Sequence, residues 1–162
     1  MKLFRDRLLP GARAARGLAV IIDVYRAFTC TPLLYALGIE RSILVATAEE
    51  ALALKATNPD FVLIGEISGA PIDGFDLGNS PSQIVRLGTA MFRGKTVVQR
   101  TSAGVQGAIA ALQGADEVLL GSYLTERVDG NHGCQFTTSS YIFTSRVYIN
   151  TVWRFWSWEI IN

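Results

Sequence analysis

Apolar residues fall in short runs along the chain, separated by stretches with clear helix start and stop signals. Residues 18–25 (LAVIIDVY) are nearly all apolar, the mark of a strand covered on both faces. Thr29 or Thr31 can cap the helix that follows, Pro32 suits its first turn, and Gly38 is a good stop. Residues 42–46 (SILVA) predict the next strand. Thr47 and Glu50 make a capping box that opens a helix in AEEALALKA, and Asn58-Pro59 ends it. Residues 61–65 (FVLIG) predict a third strand, ending at Glu66. Residues 65–79 are rich in glycine, and Ser80-Pro81 is an N-cap with a first-turn proline, so a short helix starts there. Gly94-Lys95 turns into a strand at 96–99, residues 104–112 (GVQGAIAAL) predict a helix, and 117–121 (EVLLG) a last strand. Strands that alternate with helices in this way predict an α/β fold: three layers, α/β/α, around a mostly parallel sheet.

The composition narrows the classes of function. The chain has 162 residues, 49% apolar and 18% charged, with a net charge of +1. It is long enough for one domain with a sizeable core and too apolar for disorder. The charge balance predicts neither nucleic acid nor a membrane surface as partner. Two distant cysteines, Cys30 and Cys134, form no metal or disulfide pattern and read as free thiols in a reducing compartment. The basic N-terminus precedes an apolar run that Asp23 interrupts, without a cleavage site, and no run is long enough to span a bilayer. A cytoplasmic protein is expected, and a homo-oligomer stays open. One seam is visible. All three Trp (Trp153, Trp156, Trp158) lie in the last ten residues, and residues 129–162 hold no Ala, Leu, Lys, Met or Pro. The domain is therefore expected to occupy residues 1–128, with 129–162 an atypical tail able to form a β-hairpin or an odd extension.

Open α/β sheets bind ligands beyond the carboxyl ends of their strands. There this chain places Asp23 and Arg26; Glu66; Asp76, Asn79 and Ser80; Arg100, Thr101, Ser102 and Gly104; and Ser122. Asp23 follows four apolar residues, so an ionised carboxylate there must be paired, hydrogen-bonded or bound to a cation. Pairing with Arg26 or capping of the next turn are the structural alternatives. Carboxylates converging from Asp23, Glu66 and Asp76 are the oxygen ligands that a hard cation such as Mg²⁺ prefers. The helix starts at Ser80 and at residues 102–104, beside Arg26 and Arg100, offer amides to an anion. Together they predict a divalent cation and a small phosphorylated ligand. His132, the single histidine, lies past the seam, Cys30 reads as a packed small residue, and neither GxGxxG nor a P-loop occurs.

The segments IDVYRAFT (22–29), Gly65-Glu66, GFDLGNSP (74–81), TSAG (101–104) and Gly121-Ser122 occur in one order. Over residues 15–127 the chain resembles the 2-phosphosulfolactate phosphatase family. The resemblance implies a Mg²⁺-dependent phosphatase that releases phosphate from 2-phospho-3-sulfolactate, a step of coenzyme M biosynthesis. On it, Asp23, Arg26 and Glu66 are catalytic, and Asp23, Glu66 and Asp76 hold the metal. Asn79, Ser80, Arg100, Thr101, Ser102, Gly104 and Ser122 bind substrate or phosphate. Tyr25, Phe28, Cys30, Ile67-Ser68 and the Thr-Ser-Ala-Gly loop depart from the family pattern and resemble a paralogous branch. Family members continue past Val128 with an acidic segment not found here. The tail is accordingly expected to be read out of frame or to come from a disrupted gene. The competing expectation is a vestigial protein that binds metal and phosphate without turnover.

Overall fold

The computed structural model describes residues 3–122 and 147–149. In chain order the elements are α1 (Leu8–Ala14), β1 (Gly17–Ile22), α2 (Ala27–Ala36), β2 (Arg41–Leu44), α3 (Ala48–Thr57) and β3 (Val62–Gly65). They continue with β4 (Leu77–Gly78), α4 (Pro81–Phe92), β5 (Thr96–Arg100), α5 (Gly104–Ala111), β6 (Ala115–Gly121) and β7 (Val147–Ile149). Every named ladder is parallel. The strands form a five-stranded sheet in the order β4–β3–β5–β2–β7 and a separate pair, β1–β6.

Period-two alternation decides which residues meet which helices. Val62 and Ile64 of β3 and Val97 of β5 turn to one face, against Cys30 and Leu34 of α2 and Ile84 and Phe92 of α4. Leu63 and Val98 turn to the other face, against Ala51 and Leu54 of α3. Helices thus cover both faces of the large sheet, and the expected α/β/α layering holds. The capping box forms as predicted: Thr47 Oγ1 accepts from the Glu50 amide, and Glu50 Oε2 accepts from the Thr47 amide. Residues Phe28, Leu44 and Val105 form the cluster that joins α2, β2 and α5, with Ile21 and Leu120 of the small sheet packed against it.

The structure corrects four expectations. Among the described residues β1 is covered on one face only: Ala19 is buried among α1 and α5, whereas Leu18, Val20 and Ile22 are exposed at 49, 53 and 72%. Within those residues the apolar run belongs to a two-stranded sheet rather than to a central strand. Secondly, α2 begins at Ala27, before Thr29 and Thr31, with the Asp23 carboxylate beside the Ala27 amide. Pro32 therefore sits inside the helix. Thirdly, α1 and the short β4 have no counterpart in the sequence pattern. Fourthly, α4 is longer than the short helix expected, running on to Phe92 across a kink at Gly88, whose φ is +62°. Within the tail, β7 extends the large sheet by pairing with β2. The hairpin expectation, His132 and Cys134 lie outside the described residues.

Candidate active site

Asp23 continues the small sheet by one bond, its amide donating to the Gly121 carbonyl at 3.0 Å, so Asp23 and the buried Ser122 end neighbouring strands. The Asp23 side chain is half-buried and lies against the backbone amides of Ala27, Gly104 and Tyr25, which pull its carboxyl down. It thus joins the start of α2 to the start of α5, where backbone donors and helix dipoles favour a negative charge. Burial pushes its carboxyl above the ordinary Asp value, the amides pull it down, and the charge on Glu66 pushes it up again. The net shift is upward. Of the two structural alternatives, capping is realised and pairing with Arg26 is not. Gly104 makes the close approach feasible. A Cβ there would lie 2.5 Å from Asp23 Oδ2 and 2.7 Å from Ala27 Cβ.

Glu66 extends β3 in the same manner, its amide donating to the Arg100 carbonyl at 3.0 Å. Its Oε1 accepts from the Ser102 amide at 2.6 Å, and Oε2 accepts from the Gly69 amide at 2.6 Å and the Ser102 hydroxyl at 3.3 Å. A tight turn presents the Gly69 donor: Ile67 and Ala70 exchange amide bonds, with Ser68 at φ +51° and Gly69 at φ +84°. Such positive φ at both central residues is the primed hairpin turn. Desolvation raises the Glu66 carboxyl, but the donors at Ser102 and Gly69 and the positive charge of Arg100 outweigh it and hold it below the ordinary Glu value. Arg100 Nη1 donates to the Glu66 carbonyl at 2.9 Å, while Arg100 Nε is buried without a hydrogen-bond partner among the described residues.

The metal set expected from the sequence is not assembled. Asp76 binds Lys55 Nζ at 2.5 Å and accepts from the Leu63 amide at 2.7 Å. It therefore sits well before the carboxyl end of β3, held by the last turn of α3, and Glu66 is three residues further along. Among the described residues no three His, Cys, Asp or Glu side chains are grouped to hold a metal. Asp23 and Glu66 are near enough for the charge of one to raise the other. Asn79 follows Gly78, as Glu66 follows its partner Gly65, and it is buried (4% exposed) with Oδ1 unpartnered among the described residues. Mg²⁺ commonly takes one or two carboxylates and completes its shell with neutral oxygens, water and substrate phosphate. Asp23, Glu66 and that orphaned oxygen fit such a cation, whereas the three-carboxylate set does not.

The anion donors are also redistributed. The Ser102 and Gly104 amides, expected to face a phosphate, are engaged by Glu66 and Asp23. Buried Thr101 accepts from the Val105 amide and so serves the start of α5. Ser80 begins α4 as predicted, but its hydroxyl meets Ser82 Oγ at 3.1 Å instead of capping the helix. The Arg26 side chain, at the start of α2, makes no hydrogen bond or ion pair among the described residues, while its carbonyl accepts from the Thr29 and Cys30 amides. Burial pushes the Cys30 thiol up to about 12, so it stays protonated at neutral pH and is no nucleophile. Two participants had escaped notice. The Ser68-Gly69 pair is a turn signal that could have located the Gly69 donor. Lys55 has none, being 21 residues from its partner in sequence.

The fold and site define a parallel α/β domain with a carboxylate pair flanked by arginines at the carboxyl edge of its strands. The chain belongs to the 2-phosphosulpholactate phosphatase family, whose sequence model matches residues 4–128. A Bacillus subtilis (strain 168) protein named "Probable 2-phosphosulfolactate phosphatase" is 43% identical over 99 residues, which cover 61% of this chain and 42% of the relative. Proteins of the same name from Deinococcus radiodurans and Thermus thermophilus are 38 and 36% identical, over 79 and 73% of this chain and 52 and 48% of theirs. The chain spans about half the length of the curated relatives it matches. No described helix is long and apolar enough to cross a membrane.

Proposed function

We propose that the chain is a phosphatase domain hydrolysing a small anionic phosphomonoester, with 2-phospho-3-sulfolactate the substrate that its relatives' names suggest. The observation that carries this is the convergence of Asp23 and Glu66, from two separate sheets, at one edge with Arg26 and Arg100. In this function Asp23 and Glu66 hold Mg²⁺. When bound, the cation supplies positive charge that offsets the carboxylates and the phosphoryl oxygens. Arg26, whose side chain makes no hydrogen bond or ion pair among the described residues, and the first turn of α4 at Ser80 take the phosphate, with Ser122 and Arg100 at its margin. Water adds to phosphorus, the ester P–O bond breaks, and the leaving alkoxide gains a proton, giving an alcohol and inorganic phosphate. The activity would serve a coenzyme M type pathway in the cytoplasm.

The test is phosphate release from a panel of phosphoesters, including 2-phosphosulfolactate, with Mg²⁺ and with Asp23→Asn as comparator. Release by the wild type that the variant lacks supports hydrolysis. No release above the variant on any ester sinks it. One second reading is binding without turnover, favoured by the Ser102 amide being engaged by Glu66 rather than left open to a phosphate. Thermal stabilisation by Mg²⁺ with no phosphate released would identify it.

A further inference from the structure

We propose that Asn79 Oδ1, rather than Asp76, is the third protein oxygen offered to the divalent cation beside Asp23 and Glu66. The inference rests on the cation reading above and goes beyond it in exchanging the roles of two residues of one loop. Four observations support it. Asp76 is committed elsewhere, to Lys55 and the Leu63 amide. Asn79 is almost fully buried, and its Oδ1 has no hydrogen-bond partner among the described residues. A carbonyl oxygen taken from water without a partner is costly, so such a site commonly answers to a bound group.

Register supplies the third observation. Ile64 pairs with Leu77 and Gly65 with Gly78, and Glu66 and Asn79 are the residues that follow this last pair on the two strands. Ile64 and Leu77 both pack in the cluster under α2 and α4. Asn79 follows Leu77 by two residues at the carboxyl edge of that sheet, where the Gly78 carbonyl accepts from the Ser80 amide and α4 begins. The fourth is chemical. Asp23 and Glu66 already bring two negative charges, and a neutral amide oxygen completes a hard-cation shell without adding a third.

The experiment measures Mn²⁺, a paramagnetic stand-in for Mg²⁺, by the loss of its free signal in electron paramagnetic resonance, without substrate. Mg²⁺ competition confirms that the two ions share the site. Asn79→Ala is expected to weaken Mn²⁺ by about tenfold or more, at least the effect of losing a supporting partner of a metal ligand. Asn79→Asp keeps an oxygen and binds as tightly or more tightly, whereas a phosphate-binding role predicts no change in either variant without phosphate. Asp76→Asn leaves Mn²⁺ affinity unchanged. Wild-type affinity retained in Asn79→Ala to within about twofold overturns the proposal, as does a tenfold loss in Asp76→Asn. If Asn79→Ala fails to fold, a folded Asn79→Asp that binds more weakly overturns it alone. Absence of Mn²⁺ binding by the wild type removes the cation from the proposed function as a whole, a result distinct from failure at Asn79.

Discussion

Gly104→Ala sets two physical effects against each other. Gly104 is the first residue of α5, and helix propensity alone favours alanine by up to about 1 kcal/mol. Packing reverses the sign. The new Cβ would lie 2.5 Å from Asp23 Oδ2, 2.7 Å from Ala27 Cβ and 2.9 Å from Asp23 Cβ. Ala27 is fully buried and opens α2, so it has little room to yield. Either α5 slides or the Asp23 carboxylate leaves the Gly104 amide. Overpacking costs about 1–3 kcal/mol, so the net loss after propensity is about 0–3 kcal/mol. For a chain of 162 residues each kcal/mol is worth roughly 2–4 °C, so the melting temperature should fall by up to about 12 °C. The assay is a circular-dichroism melt with urea midpoints in a cycle with Asp23→Ala. Removing Oδ2 relieves the tightest contact, so Gly104→Ala should cost about 0.5–2 kcal/mol less in that background. A stabilised Gly104→Ala, or an equal cost in both backgrounds, refutes the close approach of α5 to Asp23.

Asp23→Asn should be more stable than wild type at pH 7 while losing phosphate release. The raised carboxyl favours folding only while protonated, and that advantage is lost as pH rises through its folded value; urea midpoints from pH 3 to 8 check this. Glu66 works in the opposite sense. Its lowered carboxyl stabilises the fold above the ordinary Glu value and stops doing so as pH falls, so Glu66→Gln should cost on the order of 1–2 kcal/mol at neutral pH and flatten the acid limb of the same curve. Cys30 should resist iodoacetamide at pH 8 in the native protein and react once unfolded in urea, read by mass spectrometry of its peptide. Val20→Thr should change stability by less than about 0.5 kcal/mol, whereas Leu44→Ala should cost about 2–5 kcal/mol; similar losses would mean that the outer face of β1 is covered.

What could be read from the sequence was local. The Thr47–Glu50 box needs only residues three apart, and Ser80-Pro81 starts α4 where expected. Alternation of apolar runs was enough for the α/β class. The site edge was legible too, because strand ends follow from strand positions: Asp23, Glu66, Arg100 and Ser122 all terminate strands that the pattern predicts. What escaped depends on contacts between distant segments. The start of α2 is set by Asp23 reaching across a turn, and Asp76 is claimed by a lysine on another helix. Gln99, polar and fully buried in β5, is satisfied by Ser42 and Thr31, a network that no single strand announces. α1 contains Pro10 and Gly11, both poor helix formers, and rests on packing against β1 and α5.

The division into two sheets has a mechanical consequence for the carboxylate pair. Asp23 ends a strand of the small sheet and Glu66 a strand of the large one, and no described ladder bond runs between the two sheets. Their separation is therefore set not by the rigid spacing of paired strands but by how Ile21, Phe28, Leu44 and Val105 fill the space between the sheets. The site behaves like a vernier whose gauge block is hydrophobic. Adding or removing one methylene in that block would change the gap between the two acids without touching either, so tuning of this chemistry is open to residues that never meet the substrate.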